Sequence, residues 1–104
     1  MPEYVLSKKA DADLEGIYIY SCETFGTSRA TDYFLSLRDC LNRIAASPHI
    51  GRDAGFLHPD MHSHHHERHM IYYLIEGNGI FVVRVLHDAM DELRHISVSD
   101  TDRK

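Results

Sequence analysis

Imidazole is the group in this sequence best suited to chemistry. Nine histidines occur in 104 residues, and eight of them fall between His49 and His87. With an ordinary pKa of about 6.5, a histidine can hold a metal, move a proton or sense mild acid. The densest run is His62-Ser63-His64-His65-His66-Glu67. Read as a strand, it puts His62, His64 and His66 on one face with Arg68, and His65 and His69 on the other. Two imidazoles at i, i+2 can reach one Zn2+, with Glu67 or His58 as a further ligand. A structural zinc site, however, draws on two separated pairs of ligands, and no second Cys or His pair matches this one. His62, His64 and His66 are therefore weak metal candidates. Adventitious metal, pH sensing and a plain solvated edge are the competing readings of the same run.

The surrounding composition bounds what such a site can serve. A 104-residue chain that is 43% hydrophobic and 26% charged is one ordinary folded domain. The formal charge is −5, and no third of the chain carries more basic than acidic residues. Direct nucleic-acid binding needs a Lys/Arg field to displace counterions, so RNA and DNA are disfavoured as ligands. Cys22 and Cys40 lack CxxC spacing and read as free thiols. The first residues hold no apolar signal segment, and no stretch is apolar enough to span a membrane. The expectation is a soluble, cytoplasmic protein.

Periodicity then places the elements that must position these residues. Tyr4, Val5 and Leu6 read as a strand over Glu3–Leu6. Ser7 can cap a helix whose stripe is Ala10, Leu14, Ile17, Tyr18, Ser21 and Phe25, and Gly26 stops it. Thr27 or Ser28 can cap a second helix with the stripe Ala30, Tyr33, Phe34, Leu37, Leu41, Ile44 and Ala45, which Pro48 ends. Helices joined by one or two residues fold back as a hairpin with both stripes on one surface. On these stripes Tyr18, Phe25, Tyr33 and Phe34 read as core.

Residues 49–61 read as loop. From there the period is two. His62–His69 reads as an edge or partly exposed strand leading into Met70. Met70–Ile75 is a strand, with Ile71 and Tyr73 on one face and Met70, Tyr72 and Leu74 on the other. Glu76-Gly77-Asn78-Gly79 is a turn, and Ile80–Leu86 a strand buried on most of both faces. Asp88–His95 fits a short helix. The order is β-α-α-β-β-β, an α+β fold with the helical hairpin packed on a small antiparallel sheet that the N-terminal strand strengthens. Residues 1–96 form the single domain and 97–104 a flexible C-terminal tail. The second face of the sheet has no obvious cover, which points to a partner chain.

This order, with Leu6-Ser7, Ala10, Asp13-Leu14, Ala30, Pro48, Gly51-Arg52, His69-Met70-Ile71-Tyr72, Val85-Leu86-His87 and Met90-Asp91 at their spacing, resembles the ParE branch of the RelE/ParE toxin superfamily. The likeness runs from Tyr4 to Ile96. It implies a toxin of a bacterial type II toxin–antitoxin operon, of the kind tied to plasmid stabilization. The toxin would inhibit DNA gyrase by protein–protein binding, and a ParD-like antitoxin would neutralise it. No cofactor is implied, and the expected assembly is a hetero-oligomer with the antitoxin.

Relatives on the RelE side cut mRNA in the ribosome, and the fold alone does not choose. Such cleavage needs an acid or base for the 2′-hydroxyl and cations for the phosphorane. This chain offers Arg68, His69, Arg84 and His87 for those roles. The residue after His87 is Asp88, where nuclease members carry a terminal Tyr, and the acidic balance also favours a protein target. The favoured reading is therefore a toxin with no catalytic residues. The mRNA endonuclease, and a non-toxic module that only binds antitoxin, stand as alternatives. Arg84, His87, Met90 and Asp91 become candidate target contacts. The plainer roles are a pair between Arg84 and a tail carboxylate such as Asp91, and a strand-end hydrogen bond from His87 that fixes the tail. Tyr4, Tyr20 and Tyr72, where exposed, would suit an antitoxin groove, because tyrosine gives large contact area at low entropy cost.

Overall fold

Ser7 starts the first helix through its own side chain. Its Oγ accepts from the Ala10 N–H at 2.9 Å and donates to the Val83 carbonyl at 2.7 Å. One residue thus caps a helix and pins it to the sheet. In this computed structural model, which describes residues 2–90 and Ile96, β1 spans Glu3–Leu6, α1 Lys8–Phe25 and α2 Thr27–Ala46. Gly26 alone joins the helices. Its φ of 89° lies in the region open mainly to glycine, and its N–H closes α1 on the Cys22 carbonyl. Neither Thr27 nor Ser28 caps α2: Gly26 takes the cap position, with no side-chain hydrogen bond.

A turn of 3-10 helix, Pro48–Ile50, follows α2. The segment expected as loop also holds a two-residue strand, β2 Arg52–Asp53. Then come β3 Met61–His66, β4 His69–Glu76 and β5 Gly79–His87. The five strands form one sheet in the order β1-β5-β4-β3-β2. All neighbours are antiparallel except β1 and β5, which run parallel with Tyr4 opposite Ile80. The sheet is therefore mixed rather than purely antiparallel. The helical hairpin and the later strands supply the long crossover that parallel pairing requires.

The stripes meet the sheet where the pattern placed them. Ala10, Leu14, Leu37, Leu41 and Ile44 pack with Ile71, Tyr73, Ile80, Val82 and Val85 in one core. Each fully buried aliphatic side chain contributes roughly 1.5–3 kcal/mol. Phe25 departs from the expectation: it lies at the last turn of α1, beyond the sheet, and is 51% exposed. The other face of the sheet is also covered, contrary to expectation. Tyr72, Phe81, Val83 and Leu86 form a second core with Ala54, Leu57, Met61 and Ile96. The segment after β2 folds back over that face, held by the Ala54 N–H on the Met61 carbonyl at 2.8 Å.

Two irregularities set the site. Tyr72 stands opposite Arg84 but Tyr73 stands opposite Val82, so Val83 is an extra residue on β5. This bulge keeps Val82 and Val85 both on the helical side and Val83 and Leu86 both on the far side. The second is a reversal at Glu67-Arg68, where Glu67 takes a φ of 52°. The strand expected to run through His69 instead turns back on itself, with His66 opposite His69. Opposed residues share a face. His69 therefore lies on the helical side with His62, His64 and His66, not with His65, and Arg68 sits in the turn. Residues 91–95 and 97–104, including most of the expected helix after β5, fall outside the described residues. Of that segment Asp88 and Ala89 form a turn and Met90 a bend.

Candidate functional site

A cleft of about 660 Å3 opens between α1, the start of α2 and the end of the β4–β5 ladder. Its α1 wall is Ala12, Asp13, Gly16, Ile17 and Tyr20. Its far wall is Arg68, His69, Val85, Leu86, His87 and Met90, and Arg29 and Tyr33 of α2 close one end. The sheet register draws the sequence candidates together here. His69 pairs across strands with both His66 and His87, so three imidazoles form a row over β3, β4 and β5. The His69 and His87 rings meet edge to face at 5.6 Å.

Tyr33 locks this row to α2. Its hydroxyl lies 2.6 Å from His69 Nδ1, and the Ser36 hydroxyl lies 3.1 Å from His66 Nε2. Burial, and then the neighbouring His87, push the His69 pKa down to about 4. Burial, and then the Glu67 carboxylate, push the Tyr33 phenol up to about 12. Both groups are thus neutral at pH 7 and share one hydrogen bond, whose direction follows the His69 tautomer.

Arg84 was the other candidate for chemistry, and among the described residues it pairs with Asp13. Its Nε and Nη2 donate to both carboxylate oxygens of Asp13 on α1, at 2.7 and 2.8 Å. Asp13 also accepts from the Val85 backbone N–H at 3.0 Å. The guanidinium is 13% exposed and the carboxylate 15%. Arg84 directly follows the extra residue Val83 of the bulge, beyond Val82 where the pairing of β1 with β5 ends. Asp91 lies outside the described residues. His87 fills the strand-end role: its Nδ1 accepts from the Ala89 N–H at 3.1 Å.

The metal candidates are spread rather than gathered. His62 stacks on Tyr73 at 5.6 Å and meets His49 edge to face at 6.5 Å. His66 turns to Ser36 and Glu67. Burial and the Arg43 charge lower the His64 pKa. Among the described residues no group of three or more His, Cys, Asp or Glu is arranged to hold a metal ion.

The three tyrosines separate by exposure. Tyr20 is 64% exposed on the rim of the cleft. Tyr4 is half-buried and lines a second cleft of about 520 Å3 on the other flank of α1, with Leu6, Leu14, Tyr18 and Phe34. Tyr72 is only 4% exposed in the second core, so it presents no surface to a partner. Sequence reasoning overlooked Asp13, Tyr33 and Gly16. Gly16 left a legible trace, because a glycine inside an 18-residue helix weakens it for no local reason.

A helical hairpin on a mixed five-stranded sheet, with a cleft beside the first helix, defines a class of small α+β folds. The family described as "ParE toxin of type II toxin-antitoxin system, parDE" matches residues 4–92. Toxin ParE1 of Mycobacterium tuberculosis is 36% identical over 94 residues, covering 89% of this chain and 96% of that protein. Toxin ParE of Escherichia coli is 30% identical over 98 residues, covering 93% and 95%. Among solved structures, the chromosomal ParDE toxin–antitoxin system of P. aeruginosa superposes with a TM-score of 0.71. It has 18% identity, over 84% of this chain and 96% of that one. The chain belongs to the ParE family and is a ParE-type toxin of a type II toxin–antitoxin system.

Proposed function

We propose that this toxin inhibits DNA gyrase by protein–protein contact, without catalysis, and that a ParD-like antitoxin neutralises it. The observation that carries the non-enzymatic reading is the engagement of the candidate catalytic groups. Arg84 is clamped by Asp13, and His69 is neutral and tied to Tyr33. A ribonuclease would need such groups free to meet a phosphorane. Exposed His87 and Met90 serve as target contacts, Arg84 positions β5 behind them, and Asp91 follows Met90 in the sequence as a further contact. Tyr20 and Tyr4, on either flank of α1, serve the antitoxin.

The purified toxin should block gyrase supercoiling of plasmid or trap cleaved plasmid at micromolar concentration, and the ParD-like antitoxin should reverse the effect. Normal supercoiling at saturating toxin would overturn the gyrase reading. Codon-positioned cuts in translated message from expressing cells would replace it with the endonuclease.

A further inference from the structure

The second cleft, between β1, α1 and α2, differs in chemistry from the first. Its volume is about 520 Å3, within the range of small-molecule sites. Its floor is Leu14 and Leu37, side chains of the main core. Its walls are aromatic. The rings of Tyr18 on α1 and Phe34 on α2 meet edge to face at 5.8 Å, and the Tyr18 hydroxyl lies 3.5 Å from Thr31 Oγ1. Tyr4 lines the cleft from β1. Three elements of the fold thus hold these walls, so the cleft is pre-formed.

The charges at this cleft are divided by helix. Asp11 and Glu15 line it from α1, one turn apart on the same face. Arg38 lines it from α2. All three are exposed. Among the described residues none of them makes a salt bridge. Carboxylates on one helix and a guanidinium on the other, over an apolar floor, suit neither a bare cation nor a bare anion. Either ion would meet a like charge and leave the aromatic walls unused. The arrangement matches a molecule that carries both charges and an apolar body.

We propose that this cleft binds a small apolar zwitterion, of the class of aromatic amino acids and dipeptides. The ammonium meets Asp11 and Glu15, and the carboxylate meets the Arg38 guanidinium, whose planar fork suits two oxygens at once. The apolar side chains lie against Tyr18, Phe34 and the leucine floor. Binding of this kind belongs to the free toxin, and it holds whether or not Tyr4 also meets an antitoxin.

The test titrates the whole purified chain with the dipeptide phenylalanyl-leucine, reading affinity by calorimetry and location by NMR. Binding should reach a Kd of about 1 mM or tighter, and the ring signals of Tyr18 and Phe34 should shift. Acetylating the amine or amidating the carboxylate should each weaken binding about three- to fivefold, the worth of one exposed ion pair. Added salt should weaken the free dipeptide more than a form blocked at both ends. Arg38→Gln and Glu15→Gln alter exposed residues, so both should melt near wild type. Arg38→Gln should bind the free dipeptide more weakly, yet bind the amidated form as wild type does, because that form has no carboxylate to lose. Glu15→Gln should show the converse with the acetylated form. No binding up to about 10 mM overturns the proposal. So do shifts gathered at His87 and Met90, or a doubly blocked dipeptide that binds as tightly as the free one.

Discussion

Asp13 of α1 and Arg84 of β5 form a two-pronged ion pair across 71 residues of sequence. The same carboxylate takes the Val85 N–H at the bulge, so one side chain ties helix, guanidinium and irregular backbone together. Breaking a largely buried pair from one side leaves the other charge uncompensated, which costs more than the pair itself contributes.

Asp13→Ala should therefore destabilise the fold by about 3 kcal/mol, which for a domain this size lowers Tm by about 10 °C or more. Asp13→Asn keeps the shape and one acceptor and should lose less. Urea unfolding at pH 7 measures both. A loss no larger than that of an exposed aspartate such as Asp32 would remove the pair from any structural role.

Acid should weaken the fold through the histidine row. His69 titrates at about 4 in the fold, against about 6.5 for a free histidine. Between those values the unfolded chain binds the extra proton and the fold does not, so stability falls as pH is lowered through that window. Burial shifts His64 and His66 in the same direction. His69→Asn removes one share of this loss, so its urea midpoint should fall less steeply with acid than that of wild type. Parallel curves would assign the acid response elsewhere.

The thiols should react at different rates. Cys40 is buried on α2 and burial raises its pKa, while Cys22 is partly exposed. Since the thiolate is the nucleophile, iodoacetamide should label Cys22 in the native protein and Cys40 only after unfolding, as read by peptide mass spectrometry. Rapid double labelling would contradict the packing of Cys40 against the sheet.

Gly79 should resist substitution. A Cβ there would run into the Glu3 backbone of the adjoining strand. Gly79→Val should detach β1 and cost about 2 kcal/mol or more, with increased proteolysis near the N-terminus. Substitution of exposed Gly16 by alanine, on the same chain, should cost nothing.

What the sequence made legible was local. Ser7 and Gly26 bracket the first helix because capping and positive φ are properties of those residues alone. The alternation from Met70 to Ile75 assigned faces correctly because each face has its own core. The reversal at Glu67-Arg68 escaped because Glu67 takes a positive φ that glycine or asparagine would have signalled. That one turn moved His69 to the other face and converted a supposed edge into a hairpin. The pairing of Arg84 with Asp13 escaped for a different reason. A pairing between Asp13 and Arg84 leaves no periodic trace, and the nearer tail carboxylate looked equally suitable. Tyr33 belonged to the stripe, and its aromatic body does pack there, but its hydroxyl serves the cleft.

The parallel pairing of β1 with β5 has a consequence for synthesis. Among the described residues, the first strand to leave the ribosome has as its sheet neighbour only the last strand to be made. Until β5 emerges, β1 lacks a ladder and the Ser7 hydroxyl lacks the Val83 carbonyl it binds. The apolar faces of the two helices also lack Ile80, Val82 and Val85. The cleft itself has no far wall before His87 is in place. The two walls of the cleft, one from α1 and one from β4 and β5, therefore come into register only when β5 joins the sheet.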